Sequence, residues 1–158
     1  MMTVLGIDPG LADTGIGLVS GRGMKVRHYS FGSIVTPKTD EISLRLDLIY
    51  SKVKSIIDTH KPDLMVVEDV FSLKRYPKSG ILLGKVLGVV LLSAAHAGLP
   101  AVEIPVRESK KILSGNGNAG KEQLEKAVRQ YLKHEGPIRP FHASDALALA
   151  LIGLFRNG

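Results

Sequence analysis

With 158 residues, 44% of them hydrophobic, the chain is long enough for one domain with a buried core, expected to span 1–158, and too short for two large ones. A formal charge of +6 and a pI near 9.6 favour a polyanionic partner, nucleic acid first, although many small basic proteins bind none. The absence of cysteine excludes disulfides, Cys-type zinc sites and a thiol nucleophile; the longest apolar candidate, Ile81 to Leu92, is broken by Gly84, Lys85 and Gly88 and falls short of the roughly 18–20 residues of a membrane span.

A strand pattern starts at Thr3, which leaves no room for a signal peptide and makes a cytoplasmic location the expectation. Thr3 to Asp8 reads as a short buried strand stopped by Pro9-Gly10. Gly15 to Ser20 and Lys25 to Val35 read as two further strands joined at Gly21-Arg22-Gly23. Glu41 to His60 is an amphipathic helix. Ile42, Leu46, Ile49, Val53, Ile56 and Ile57 recur at helical spacing, with Asp40 as the expected N-cap and Pro62 as the stop. Leu64 to Val70 is a strongly apolar strand, and Ser79 to Ala97 a helix. Ala101 to Val106 is a strand, followed by helical segments at Lys110 to Leu113, Lys121 to His134 and His142 to Phe155. Antiparallel opening strands followed by alternating strands and helices predict an α/β fold: a mixed central sheet with helices on both faces.

Charged residues stand where this pattern expects apolar ones. Asp8 closes the first strand, and Glu68 ends the run Leu64-Met65-Val66-Val67. A carboxylate buried at a strand end needs a cation, a donor or a proton. Strand ends are also where α/β sheets form their ligand crevices. The alternative is that each carboxylate merely caps a turn or a helix. On the last helix, His142 and Asp145 are three residues apart and share a face. The helix N-terminus favours a carboxylate and a neutral imidazole, which is the metal-binding form. A simple cap, with Asp145 accepting backbone N–H groups, fits the same residues. Three carboxylates and a histidine converging in one crevice would suit Mg²⁺ or Mn²⁺. Two such ions can activate water and stabilise both oxygens of a phosphodiester displacement.

Gly6-Ile7-Asp8-Pro9-Gly10 with Thr14-Gly15, Val67-Glu68-Asp69-Val70-Phe71, and His142-Ala143-Ser144-Asp145-Ala146-Leu147-Ala148 together resemble the RuvC family of Holliday-junction resolvases. The resemblance runs the length of the chain and includes Gly115-Asn116-Gly117-Asn118-Ala119. It implies an RNase H-like fold and a homodimer nicking symmetric strands of a four-way DNA junction in recombination and repair, with a branch-migration helicase as a further partner. It also implies that Asp8, Glu68, His142 and Asp145 are the catalytic metal ligands, holding two Mg²⁺ (or Mn²⁺) ions. Histidine replaces the aspartate that many members carry at the third position. Strand alternation turns Asp69 to the opposite sheet face. Phosphate contacts are expected from Lys74, Arg75 and Lys78 after Glu68, and from Arg107, Lys110, Lys111 and Lys121 around the Gly-rich stretch. Phe71 is either a junction-contacting aromatic or a core residue. An RNase H-like enzyme acting on RNA is the rival nuclease reading, and a junction-binding module without catalysis is the rival from another class. An actin-like or sugar-kinase architecture needs two such domains and does not fit this length.

Overall fold

The computed structural model describes residues 1–69 and 77–158. The predicted contacts Phe71, Lys74 and Arg75 lie outside the described residues. Five strands form one sheet in the order β3-β2-β1-β4-β5. β1 (Met2–Asp8), β2 (Asp13–Arg22) and β3 (Lys25–Val35) pair antiparallel, while β4 (Leu64–Glu68) and β5 (Ala101–Ile104) run parallel to β1. The β2–β3 turn uses Gly23 at φ 55, a conformation that costs glycine little. The helices are α1 (Ile42–His60), α2 (Pro77–His96), α3 (Val106–Ser114), α4 (Lys121–Leu132) and α5 (Phe141–Asn157).

Alternation along the strands sorts the apolar side chains into two cores. Leu5 and Ile7 of β1, Ile16 and Leu18 of β2, and Met65 and Val67 of β4 face one side. There they meet Ile49, Val53 and Ile57 of α1 and Val86, Val90 and Ala94 of α2. Val4, Val19, Leu64 and Val66 face the other side and pack on α5, backed by α3 and α4. A fully buried Leu or Ile contributes about 1.5–3 kcal/mol. α5 is buried almost all round, from Ala143 through Leu154 apart from Asp145, so it is a core helix rather than a surface one.

Several expected boundaries move. α1 is capped at Glu41, with no side-chain cap bond, rather than at Asp40, whose N–H closes a turn onto the Pro37 carbonyl. Its stop is set by Lys61 in the left-handed region, one residue before Pro62. β4 ends at Glu68. β5 ends at Ile104, because Pro105 caps α3 and Val106 is already helical. α2 is long and apolar enough to cross a bilayer by length and composition, contrary to the expectation from its broken apolar run. Its inward face instead packs on α1 and the sheet.

Candidate active site

The site follows from sheet parity. Val4, Gly6 and Asp8 point to the α5 side of β1, as Leu64, Val66 and Glu68 do on neighbouring β4. The pairing of Ile7 with Val67 sets Asp8 and Glu68 side by side at the carboxyl ends of two parallel strands. α5 then has to bring its first turn onto them, and three glycines make this possible. A Cβ on Gly6 would stand 2.0 Å from the Ala146 carbonyl oxygen, one on Gly15 1.9 Å from that of His142, and one on Gly17 2.6 Å from the Leu147 nitrogen. The helix backbone therefore lies directly on the backbone of β1 and β2. This seam, which sequence reading missed, explains why the glycines flank Asp8 and open β2.

All four predicted ligands line one crevice of about 390 Å³. Asp8 is buried, and its Oδ2 lies 2.7 Å from His142 Nδ1. The His142 ring remains half-exposed. Glu68 and Asp145 stand beside Asp8, close enough for its carboxylate to act on both. The capping alternatives fail for Asp8 and for the start of the last helix. Pro140 occupies the N-cap of α5 without a side-chain cap bond, and the turn after Asp8 is held by Thr14, whose hydroxyl donates to the Gly10 carbonyl at 2.6 Å. Asp69 lines the same crevice, correcting the expectation that alternation turns it away, because the strand stops before it. Lys110 and Lys121 also reach the crevice wall. Lys78, Arg107 and Lys111 are exposed and stand outside it, with the Arg107 side chain lying against Gly117. A groove of similar volume between β3 and α1 carries no carboxylate, so acid chemistry belongs to the first crevice.

The electrostatics follow from acids crowded together in a buried crevice. Burial first, then the neighbouring Asp8, pushes Glu68 up to about 10. The same causes push Asp145 up to about 7, with Lys121 and His142 opposing them. His142 is raised above 6.5, chiefly by its hydrogen bond to Asp8, with Asp13 and Asp145 adding to it. Among the described residues no three of these groups form a ready-made metal shell; protons and the His142–Asp8 bond close the cluster instead. Hard oxygen donors that repel one another when ionised, with one imidazole beside them, fit a divalent cation.

This arrangement carries a stability consequence with a definite sign. Unfolded, Glu68 and Asp145 ionise near 4.5 and 3.8; folded and metal-free, they hold their protons to about 10 and about 7. The native state therefore binds more protons than the unfolded chain in that window, and stability falls as pH rises through it. The Glu68→Gln protein should melt higher than the wild type at pH 8 in EDTA, by about 2–4 °C per kcal/mol of repulsion relieved. At pH 4 the two should coincide. Thermal melts at both pH values check this, and an equal or lower melting temperature at pH 8 would contradict it.

A five-stranded mixed sheet with paired carboxylates at its centre and a helix start closing on them defines an RNase H-like nuclease architecture. Residues 4–153 match the family described as Crossover junction endodeoxyribonuclease RuvC. The crossover junction endodeoxyribonuclease RuvC of Syntrophomonas wolfei is 39% identical over 153 residues, covering 97% of this chain and 88% of its own. That of Moorella thermoacetica is 39% identical over 150 residues, covering 95% and 89%. The structure of T. thermophilus RuvC in complex with Holliday junction substrate superposes with a TM-score of 0.91 at 32% identity, covering 99% of this chain and 94% of that one. The chain belongs to the RuvC family of crossover junction endodeoxyribonucleases, and is a hydrolase of DNA phosphodiester bonds.

Proposed function

We propose that this protein, as a single nuclease domain over residues 1–158, resolves four-way DNA junctions in the cytoplasm by paired, metal-dependent nicks that serve recombination and repair. The observation that carries this reading is the Asp8-centred cluster of Glu68, His142 and Asp145 in a crevice flanked by two lysines, in a chain of this family. Asp8, Glu68, His142 and Asp145 would hold the metal, with Mg²⁺ the expected ion and Mn²⁺ a substitute that tolerates the imidazole. Bound divalent cations supply charge neutralisation at the scissile phosphate and activation of water, which leaves a 5′-phosphate when the 3′-oxygen departs.

The chain's own residues do the rest. Asp8 is the shared carboxylate, bonded to His142 and adjacent to both other acids. Lys110 and Lys121 oppose the acids' charge and face the incoming phosphates; their positive charge lowers Glu68 and Asp145 respectively. Binding a cation must displace the protons on Glu68, Asp145 and His142. Because the Asp8 bond raises His142, the acid limb of cleavage at subsaturating Mg²⁺ lies above pH 6.5. EDTA should abolish nicking of a synthetic four-way junction and leave binding intact. Nicking that survives EDTA, or preferential cleavage of structured RNA, would refute this reading.

Lys110 and Lys121, with Arg107 and Lys111 nearby, would neutralise backbone charge. Junction affinity should fall linearly in log–log salt plots, and replacing Lys110 and Lys121 together by Ala should flatten the slope by about 1–2, given about 0.9 per phosphate contact. An unchanged slope would remove both from the DNA interface.

Paired nicks need two active sites. α2 leaves Ile81 62%, Leu82 39% and Leu92 48% exposed. Gly84 and Gly88 lie among them with open space above. Such a face, apolar at helical spacing apart from the exposed Lys85, suits a second copy of α2. The Ile81→Arg/Leu92→Arg protein should sediment as a monomer and lose paired cleavage; a dimer of unchanged stability would place the interface elsewhere. A branch-migration helicase completes the proposed partner set, and loading of the protein onto junctions by such a helicase is its test.

A further inference from the structure

One carboxylate outside the crevice is buried as deeply as Asp8. Glu125 on α4 is 2% exposed, surrounded by the second core's Leu124 and Val128. A buried charge with inadequate partners costs several kcal/mol. On its own helix Glu125 faces Arg129 Nε at 2.7 Å. Among the described residues its other partners are the two residues just before Pro140, which leads into α5. Its Oε1 accepts the Ile138 backbone N–H at 2.9 Å, and Arg139 Nη1 lies 3.9 Å away.

That short segment leads straight to the site. Ile138 is fully buried, and Arg139 Nη1 also donates to the Ile138 carbonyl at 3.0 Å. The Arg139 guanidinium lies over the Phe141 ring at 4.1 Å, a cation–π contact on the first residue of α5. His142 follows immediately, and Asp145 stands one turn on. The glycine seam sets how closely α5 lies on the sheet. Glu125 grips the two residues that lead into the helix through Pro140.

We propose that Glu125 is a positioning residue for cleavage: through Ile138 and Arg139 it holds the segment 136–140 so that α5 presents His142 and Asp145 to Asp8. This rests on the assignment of those residues to the active site under the proposed function. A misplacement of about 1 Å at the reacting groups, even when caused by a change away from them, costs about 10²-fold in rate.

The test compares Glu125→Ala, Glu125→Gln and Arg139→Met with the wild type at a temperature where each is folded by circular dichroism. Four readouts are taken: junction affinity in EDTA, single-turnover cleavage, the Mg²⁺ concentration for half-maximal cleavage, and amide hydrogen exchange of the metal-free protein. For Glu125→Ala, junction affinity should stay within about twofold, while cleavage slows and the Mg²⁺ midpoint rises, each by about tenfold or more. Exchange should accelerate across 138–146 and not in β1. Glu125→Gln keeps an acceptor for the Ile138 N–H and should recover most of the loss. A folded Glu125→Ala protein with wild-type cleavage, Mg²⁺ midpoint and exchange overturns the proposal. Should Glu125→Ala fail to fold, Arg139→Met decides, since its side chain is 48% exposed: slowed cleavage with a raised midpoint supports the proposal, and wild-type values overturn it. Asp8→Asn separates the two readings. If Asp8→Asn still cuts, the site assignment itself is wrong. If it is inactive while Glu125→Ala behaves as wild type, only the role of Glu125 fails.

Discussion

Replacing Asp8 with Asn should leave junction binding within a few-fold of wild type and lower single-turnover cleavage by about 10³-fold or more. The substitution preserves shape but removes the one carboxylate that touches His142 and stands against both Glu68 and Asp145. A bound metal supplies several kcal/mol of transition-state charge stabilisation, and each 1.4 kcal/mol is about tenfold in rate. Binding should persist because phosphate contacts, not carboxylates, provide it. Removing a negative charge from the crevice lowers its repulsion of the phosphates, so a modest gain in affinity is consistent with the same role. Gel-shift affinity in EDTA and quenched single-turnover cleavage in Mg²⁺ measure the two quantities. Normal cleavage by Asp8→Asn would place the chemistry elsewhere.

The second large effect comes from a residue with no chemistry. Gly15→Ala would set a methyl carbon 1.9 Å from the His142 carbonyl oxygen and 3.0 Å from the Ala143 nitrogen. Both atoms are helix backbone, so no side chain can swing aside. Overpacking of this kind costs about 1–3 kcal/mol or more, and a shift of about 1 Å at a reacting centre costs about 10²-fold. Gly15→Ala should therefore lose cleavage even where it remains folded, since relief comes only by lifting the start of α5 away from Asp8. By contrast Gly32→Ala, on the neighbouring strand with nothing within 4 Å, should keep both stability and activity. Equal behaviour of the two variants in melts and cleavage would remove the glycine seam from the account.

These two residues show what could be read from the chain. Asp8, Glu68, His142 and Asp145 were legible because each breaks an apolar pattern at an element end, and their order matches the family's. The antiparallel opening, the amphipathic α1 and the buried α5 followed from periodicity, with Ile49, Val53 and Ile57 buried as their spacing required. Long-range contacts were not legible. Nothing local tells that Gly6, Gly15 and Gly17 share a face under a helix more than 120 residues later, or that Glu125 reaches the Ile138 N–H. Alternation misplaced Asp69 because it assumes the strand continues, whereas β4 stops at Glu68. Asp40 looked like an N-cap by residue type, but the Pro37 turn takes its backbone and passes the cap position to Glu41. Basic residues resist sequence reading most, since among the described residues chosen only Lys110 and Lys121 reach the crevice.

The most direct measurement maps the nicks. A synthetic four-way junction, labelled in turn on each strand, is incubated with the protein in Mg²⁺, sized on a denaturing gel and then treated with DNA ligase. Nicks are expected at symmetric positions on two opposed strands, sealed by ligase, and none on linear duplex of the same sequence. Unpaired nicks, ends that ligase cannot seal, or equal cutting of the duplex would contradict this.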